Sequence, residues 1–199
     1  MIAYNRIGMS DRLYLSCWVQ GFSDSNMLRH LGKMLEVFPF SKLAQRGPTV
    51  RVYALNYAEP PLLERPFDPG ADVGNMIAAA RDFVQPDCCV EIDAAWDLWQ
   101  YEGDWKVLPS PVTISCFGSG FENESDDHLR IDFGLDGKFL PSPEIEGSVR
   151  IQQSNLRSLL YLGSQIEKAL PLERRQLWSE SGANFAEVLE ETLQKLGGN

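Results

Sequence analysis

Two carboxylates, Glu91 and Asp93, stand two residues apart in the stretch 89–101, which reads CVEIDAAWDLWQY. Alternate residues of an extended strand lie on one face about 7 Å apart, a spacing compatible with the acid and base of a hydrolase. An exposed strand face carries the same pattern, and Arg130 on a neighbouring strand would neutralise the pair. The residues therefore leave three hypotheses open: a hydrolase or transferase using Glu91 or Asp93 as its base, a partner-binding site, or a solvated polar face.

Aromatic residues crowd the same stretch, since three of the five tryptophans fall within ten residues, at Trp96, Trp99 and Trp105. Alternation points Trp96 toward a core and leaves Trp99 and Tyr101 on the polar face. Exposed tryptophan and tyrosine beside carboxylates are typical of a protein interface or a site for a cationic ligand. The alternative is a hairpin stabilised by cross-strand aromatic pairs, or aromatic residues covered by the C-terminal helices.

Histidine is scarce, with His30 and His128 as the two copies. Asp126, Asp127 and His128 are consecutive, but successive side chains of an extended backbone point in different directions and do not converge on an ion. The sequence therefore predicts no metal ligands. An acidic loop that keeps a strand edge soluble is the simpler interpretation.

Phosphate and nucleophile motifs are weak as well. The glycines of the stretch 118–120 lie between two strands, and Glu122 and Glu124 follow them, so that carboxylates would repel a phosphate. No serine stands in a G-x-S-x-G setting. We therefore predict no catalytic residue and no cofactor.

Charge and composition narrow the class of partner. The 199 residues carry 18 basic and 28 acidic side chains, a net charge of −10, while 44% of residues are hydrophobic. That hydrophobic share is ordinary for a folded domain. A strongly acidic chain does not favour nucleic acid or anionic membrane. The expected partner is a basic protein or a cationic small molecule.

The cellular compartment is inferred from the absence of a recognisable signal peptide and of a membrane-spanning segment in the sequence. The N-terminal stretch MIAYNRIGMSDR has no apolar region followed by a cleavage site, and no run of apolar residues is long enough to span a bilayer. Cys17 and Cys116 lie in apolar strand-like runs, and the adjacent Cys88 and Cys89 are poorly spaced for chelation or redox pairing. We expect buried thiols in a reducing cytoplasm, with a disulfide or redox role as the alternative.

The N-terminal third has the pattern strand, helix, strand. Residues 12–20 and 49–57 are rich in branched and aromatic residues, and the intervening helix carries leucines at helical spacing until Pro39 ends it. Such a unit predicts two parallel neighbouring strands joined by a right-handed crossover. A proline-rich loop follows, and Asp68 and Pro69 read as the cap and first residue of a second helix.

The middle of the chain reads as an antiparallel meander. Strands are predicted at 89–101, at 105–108 after a turn, at 112–117 and at 128–135, with Pro109 and Pro111 marking a kink or a free edge. After Ser154 the leucine spacing is helical, and the stretch LERRQLW reads as a short helical turn.

These elements predict an α+β fold: a two-layer α/β sandwich with a mixed sheet and C-terminal helices. The sheet would contain one parallel β-α-β crossover and then an antiparallel meander. We expect one domain over 1–199, with a sheet core at 12–150 and a helical segment packed on it at 151–199.

The main hypothesis for function is a cytoplasmic, non-catalytic protein-interaction or ligand-binding domain that uses an acidic and aromatic sheet face. The carboxylate enzyme is the alternative, and a homodimeric structural subunit is the second alternative. The predicted binding face comprises Glu91, Asp93, Asp97, Trp99, Tyr101, His128, Arg130 and Asp132.

Overall fold

The computed structural model describes residues 11–141 and 145–190, in which seven strands form a single sheet. Across the sheet the strand order is β3-β2-β4-β5-β6-β1-β7. The strands are β1 Arg12–Val19, β2 Thr49–Ala54, β3 Leu63–Pro66, β4 Cys88–Tyr101, β5 Trp105–Phe117, β6 Leu129–Leu135 and β7 Leu172–Ser179. The helices are α1 Met27–Val37, α2 Val73–Arg81 and α3 Ser148–Ala169, and residues 185–190 begin another.

Every neighbouring pair of strands is antiparallel, so the predicted mixed sheet with a parallel crossover is wrong. β1 lies between β6 and β7, whereas β2 lies between β3 and β4. Helix α1 carries the chain across the three strands between β1 and β2, a span of about 19 Å at the usual strand spacing. A strand-helix-strand pattern does not reveal how many strands the helix crosses, and here the later part of the chain supplies all three.

The core lies between the sheet and the helices, which pack on one of its faces. Alternate residues of each strand point to this side, as Val90 and Ile92 do in β4. Helix α1 presents Met27, Leu31 and Met34 to them, all fully buried. These residues belong to one continuous cluster that also takes in side chains of α2 and α3.

Strand β7 corrects the predicted helical turn at 172–178. Its Leu177 pairs with Leu15 of β1, toward the helices, while Gln176 pairs with Ser16 on the other side. Because β7 is an edge strand, its charged residues are exposed, and this exposure hides the alternation that identifies a strand.

The strands predicted separately at 105–108 and 112–117 form one continuous strand, β5, so the interruption expected at the prolines is wrong, while the free edge, one of the two alternatives, is present. Pro109 and Pro111 pair with β4 residues inside a continuous strand, while the pairing of β5 with β6 extends only to Thr113. Within the described residues, no strand pairs with β5 at the two prolines. Proline lacks the N–H group that such a pairing would need, so this edge is blocked against further strands.

All four cysteines are free and buried, as the sequence predicts. Burial raises the pKa of the Cys17 thiol to about 12, so it stays protonated at neutral pH. In the part of the chain that the structure describes, no helix is long and apolar enough to cross a bilayer.

Helix α2 begins four residues later than the predicted start at Pro69. Its N-cap is Asp72, whose carboxylate accepts a hydrogen bond from the backbone N–H of Asn75 at 3.2 Å. We expect Asp72→Ala to lower the free energy of unfolding by about 1 kcal/mol, the usual value of an N-cap. Asp68→Ala, at the position that the sequence favoured, should leave stability nearly unchanged. Urea denaturation of both variants measures the difference, and equal losses would contradict the assignment.

Candidate functional site

The side of the sheet opposite the helices, here called the open face, carries the candidate site. Strand pairing aligns its side chains in rows that cross all seven strands. From β3 to β7, one row is Glu64, Arg51, Glu91, Ser115, Arg130, Ser16 and Gln176. The next row is Pro66, Thr49, Asp93, Thr113, Asp132, Tyr14 and Trp178.

One guanidinium serves three carboxylates in the carboxylate cluster, which we define as Glu64, Glu91 and Asp93 around Arg51. The Nε of Arg51 donates to Glu64 at 2.8 Å, and one Nη donates to Asp93. That same Nη lies 3.8 Å from Glu91, beyond hydrogen-bond distance. Glu91 therefore receives the weakest share of the positive charge.

Glu91 is also the member of this cluster whose protonation is most strongly altered. Its side chain is 15% exposed, and burial together with the charge of Asp93 raises its pKa to about 7, against the opposing effect of Arg51. A carboxyl group with this pKa exchanges its proton near neutral pH. A cation placed beside it would favour the charged form, and the same pKa would suit a general base.

Tyr57, from the loop between β2 and β3, closes one end of this area. Its hydroxyl lies 3.4 Å from the Sγ of Cys89, and its ring packs edge-on against Tyr53 and Phe121. Burial raises the pKa of the Tyr57 hydroxyl, so it remains a neutral hydrogen-bonding group at neutral pH.

On the other half of the face, Arg130 is held in a buried network. Its Nε and Nη2 donate to the two carboxylate oxygens of Asp127 at 2.8 and 2.6 Å. Asp127 is buried and also accepts from the hydroxyl of Ser16 and, at 2.8 Å, from the amide of Asn123. The indole of Trp178 donates to the Ser16 hydroxyl at 2.9 Å. Arg130 is thereby a rigid part of the sheet surface.

The charges of the open face divide at the middle strand. The side chains of β5 that follow the open-face alternation are all uncharged. On β2, β3 and β4 the open face carries Arg51 and four carboxylates: Glu64, Glu91, Asp93 and Asp97. On β1, β6 and β7 it carries three arginines, Arg12, Arg130 and Arg174, together with Asp132 and the adjoining Asp127.

The structure brings four of the eight predicted site residues together and separates the others. Glu91, Asp93, Arg130 and Asp132 share the two rows across the centre of the sheet. Asp97 lies farther along β4 and is engaged by the loop after α1, accepting from the Ser41 hydroxyl and, at 2.8 Å, from the backbone of Lys42.

Trp99 and Tyr101 lie near the tip of the β4–β5 hairpin. Eight residues of strand separate Trp99 from Glu91, a distance of about 27 Å. The ring of Tyr101 packs against that of Trp105 at 5.4 Å, which is the cross-strand pair that the sequence offered as an alternative. The side chains of Trp99 and Tyr101 remain partly exposed, but they lie too far along the hairpin to extend the carboxylate cluster.

His128 is turned away from the carboxylate cluster. Its ring stacks on Phe22 at 4.3 Å, and its Nδ1 accepts a hydrogen bond from the backbone of Val19 at 2.9 Å. Burial lowers the pKa of His128, so the ring is neutral at neutral pH.

Sequence reasoning missed Arg51, Tyr57, Ser16, Asp127 and Trp178 as members of this surface. The alternation Val50, Arg51, Val52 carried a usable signal for Arg51, because only the valines are fully buried. The others depend on contacts between distant parts of the chain. Among the described residues, no group of three His, Cys, Asp or Glu side chains is arranged to hold a metal ion.

Comparison with known proteins leaves the open face to be interpreted from its own geometry. No protein-family model, curated protein or solved structure matches the chain.

The network around Arg130 predicts a large loss of stability on removal of its carboxylate. We expect Asp127→Ala to lower the free energy of unfolding by about 3 kcal/mol, because it leaves a partly buried guanidinium without its ion-pair partner. Glu124→Ala removes an exposed carboxylate from the same loop and serves as the control. Chemical denaturation compares the two, and a loss at Asp127 no larger than at Glu124 would refute the role of the network.

The raised pKa of Glu91 predicts a pH-dependent stability. Between about pH 5 and pH 7 the folded protein keeps a proton on Glu91 that the unfolded chain has released, so stability falls as pH rises through this window. Glu91→Gln, which has no proton to lose, should be more stable than the wild type by about 3 kcal/mol at pH 8 and nearly equal at pH 4. Denaturant titrations across this range measure both proteins. Parallel stability curves would contradict the shifted pKa.

Proposed function

We propose that this chain is a non-catalytic protein-interaction module that binds a partner bearing cationic groups through its open face. The observation that carries the proposal is the charge deficit of the carboxylate cluster, where Arg51 is the one cation of the described residues that pairs with Glu64, Glu91 and Asp93. A guanidinium or ammonium group from a partner would supply the missing charge.

Electrostatics favours a cation over other ligands at this point. Two opposite unit charges 4 Å apart near a protein surface attract by about 4 kcal/mol before desolvation is counted. Glu91 is already largely desolvated by folding, so a partner would pay less of that cost at this carboxylate. Binding would convert Glu91 to its charged form and release its proton.

The extent and composition of the face favour a protein over a small molecule. Tyr14, Trp18, Tyr53 and Trp178 accompany the arginines on the strands of the open face. Tyrosine, tryptophan and arginine are the residue types enriched at the centres of protein interfaces. Small-molecule sites are instead enclosed pockets, in which most of the ligand surface is buried.

A carboxylate-dependent hydrolase or transferase is the second candidate function. It is favoured by the same raised pKa, since a base works best when its pKa lies near the working pH. Binding remains the preferred proposal because the charge deficit extends over three carboxylates, Glu64 on β3 and both Glu91 and Asp93 on β4, whereas a base requires only one.

A basic peptide tests the proposal directly. We expect hexa-arginine to bind more tightly as pH rises from 6 to 8 and less tightly as salt rises, while hexaglutamate does not bind. Glu91→Gln should weaken binding at pH 8 about tenfold and remove most of the pH dependence. Calorimetry measures both effects.

Asp82→Asn is the matched control, because it removes an exposed carboxylate at the end of α2 and leaves the open face intact. Equal affinity of the Glu91 and Asp82 variants for hexa-arginine would overturn the proposal, since binding would then reflect net charge alone.

A further inference from the structure

We infer that the open face binds a second copy of this chain, with the two sheets packed face to face around a two-fold axis parallel to β5. This inference rests on the proposed function and identifies its cationic partner as the arginine-bearing half of the same surface in the other copy. It requires a face that is complementary to itself, which is the condition for a symmetric dimer.

The division of charge across the face provides this complementarity. The half formed by β2, β3 and β4 has carboxylates in excess, and the half formed by β1, β6 and β7 has arginines in excess. The strand between them, β5, is fourth of the seven and presents no charge to the open face. A rotation about this uncharged middle strand therefore brings unlike halves together.

Only a two-fold axis parallel to the strands brings the carboxylate half of one copy over the arginine half of the other. With the axis along β5, β4 of one copy lies over β6 of the other, so that Glu91 faces Arg130, and Ser115 meets its own equivalent. In the next row Asp93 faces Asp132, and Arg12, which pairs with Asp132, is the cation beside both carboxylates.

The same rotation places β3 over β7, where Glu64 lies over Gln176, and Arg174 is two residues farther along β7, about 7 Å away and within reach of a long side chain. An axis perpendicular to the strands would instead put each strand opposite its own copy, so that β4 with its carboxylates would face β4.

Exposure at the outer strands suits this contact. The side chain of Glu64 is 57% exposed, and that of Arg174 is also exposed, lying over the ring of Trp18 at 3.6 Å. Both are available to a partner at opposite margins of the face. An ion pair between Glu64 of one copy and Arg174 of the other would therefore occur twice in the dimer, once at each margin.

The size of the face predicts a weak, reversible dimer. Six strand spacings give a width of about 29 Å, and five residues of shared strand length give about 17 Å, so each copy contributes about 500 Å². The total of about 1,000 Å² is at the lower limit for a specific protein contact. We therefore expect dissociation in the micromolar range.

A charge-reversal pair tests the arrangement. Sedimentation velocity at 0.15 M salt, where the Debye length is about 8 Å and the long-range repulsion between two acidic chains is screened, should show the wild type dimerising with concentration. Glu64→Arg and Arg174→Glu should each raise the dissociation constant at least tenfold. The double variant, which restores unlike charges across the axis, should return it to within about threefold of the wild type.

Glu173→Arg is the control, because Glu173 is exposed on the same edge strand but follows the alternation toward the helices. It should leave dimerisation unchanged, and circular dichroism of each variant checks that the fold is intact. A wild type that stays monomeric at high concentration would overturn the dimer. A double variant that dimerises no more tightly than either single variant would also overturn it.

The two proposals fail in distinguishable ways. A monomeric protein that still binds hexa-arginine through Glu91 refutes the second copy and retains the cation-binding face. A monomer that binds the peptide equally well with Glu91→Gln refutes both.

Discussion

The ion pair between Asp127 and Arg130 is the interaction on which the rest of the open face depends. Asp127 is buried, and its carboxylate is satisfied by Arg130, Ser16 and Asn123, so that strands distant in sequence are tied at one point. The indole of Trp178 extends the network from β6 through β1 to β7. A buried carboxylate of this kind is stable only when its partners are held in position, and the sheet supplies that rigidity.

This pairing also accounts for the unequal halves of the surface. Arg130 donates two short hydrogen bonds to Asp127 and is held in a fixed direction, whereas Arg51 divides its contacts among three carboxylates. In one half the buried carboxylate is therefore fully paired and arginines are in excess, whereas the other half is left with excess negative charge. The shifted protonation of Glu91 follows from this imbalance and from its burial.

Local patterns in the sequence predicted the faces of individual strands but not their neighbours. The alternation of Val90, Glu91, Ile92 and Asp93 correctly separated a buried side from a polar side, because strand geometry imposes it residue by residue. The order of strands depends on contacts between distant residues, which leave no trace in a local pattern. For this reason the parallel crossover was wrong, and the Asp127 network was invisible. The exposed charges of β7 concealed the final strand for a different reason, the solvation of a sheet edge.

The position of β1 inside the sheet has a consequence for biosynthesis. Its neighbours are β6 and β7, so Cys17 pairs with Leu129 and Arg175, and roughly 110 residues must be translated before the first of these partners exists. At ordinary rates of translation, β1 waits roughly ten seconds with both of its edges unpaired. An apolar nascent segment in that state is a substrate for chaperones, and closure of the sheet must be a late event after the β4–β5 hairpin has formed from local contacts.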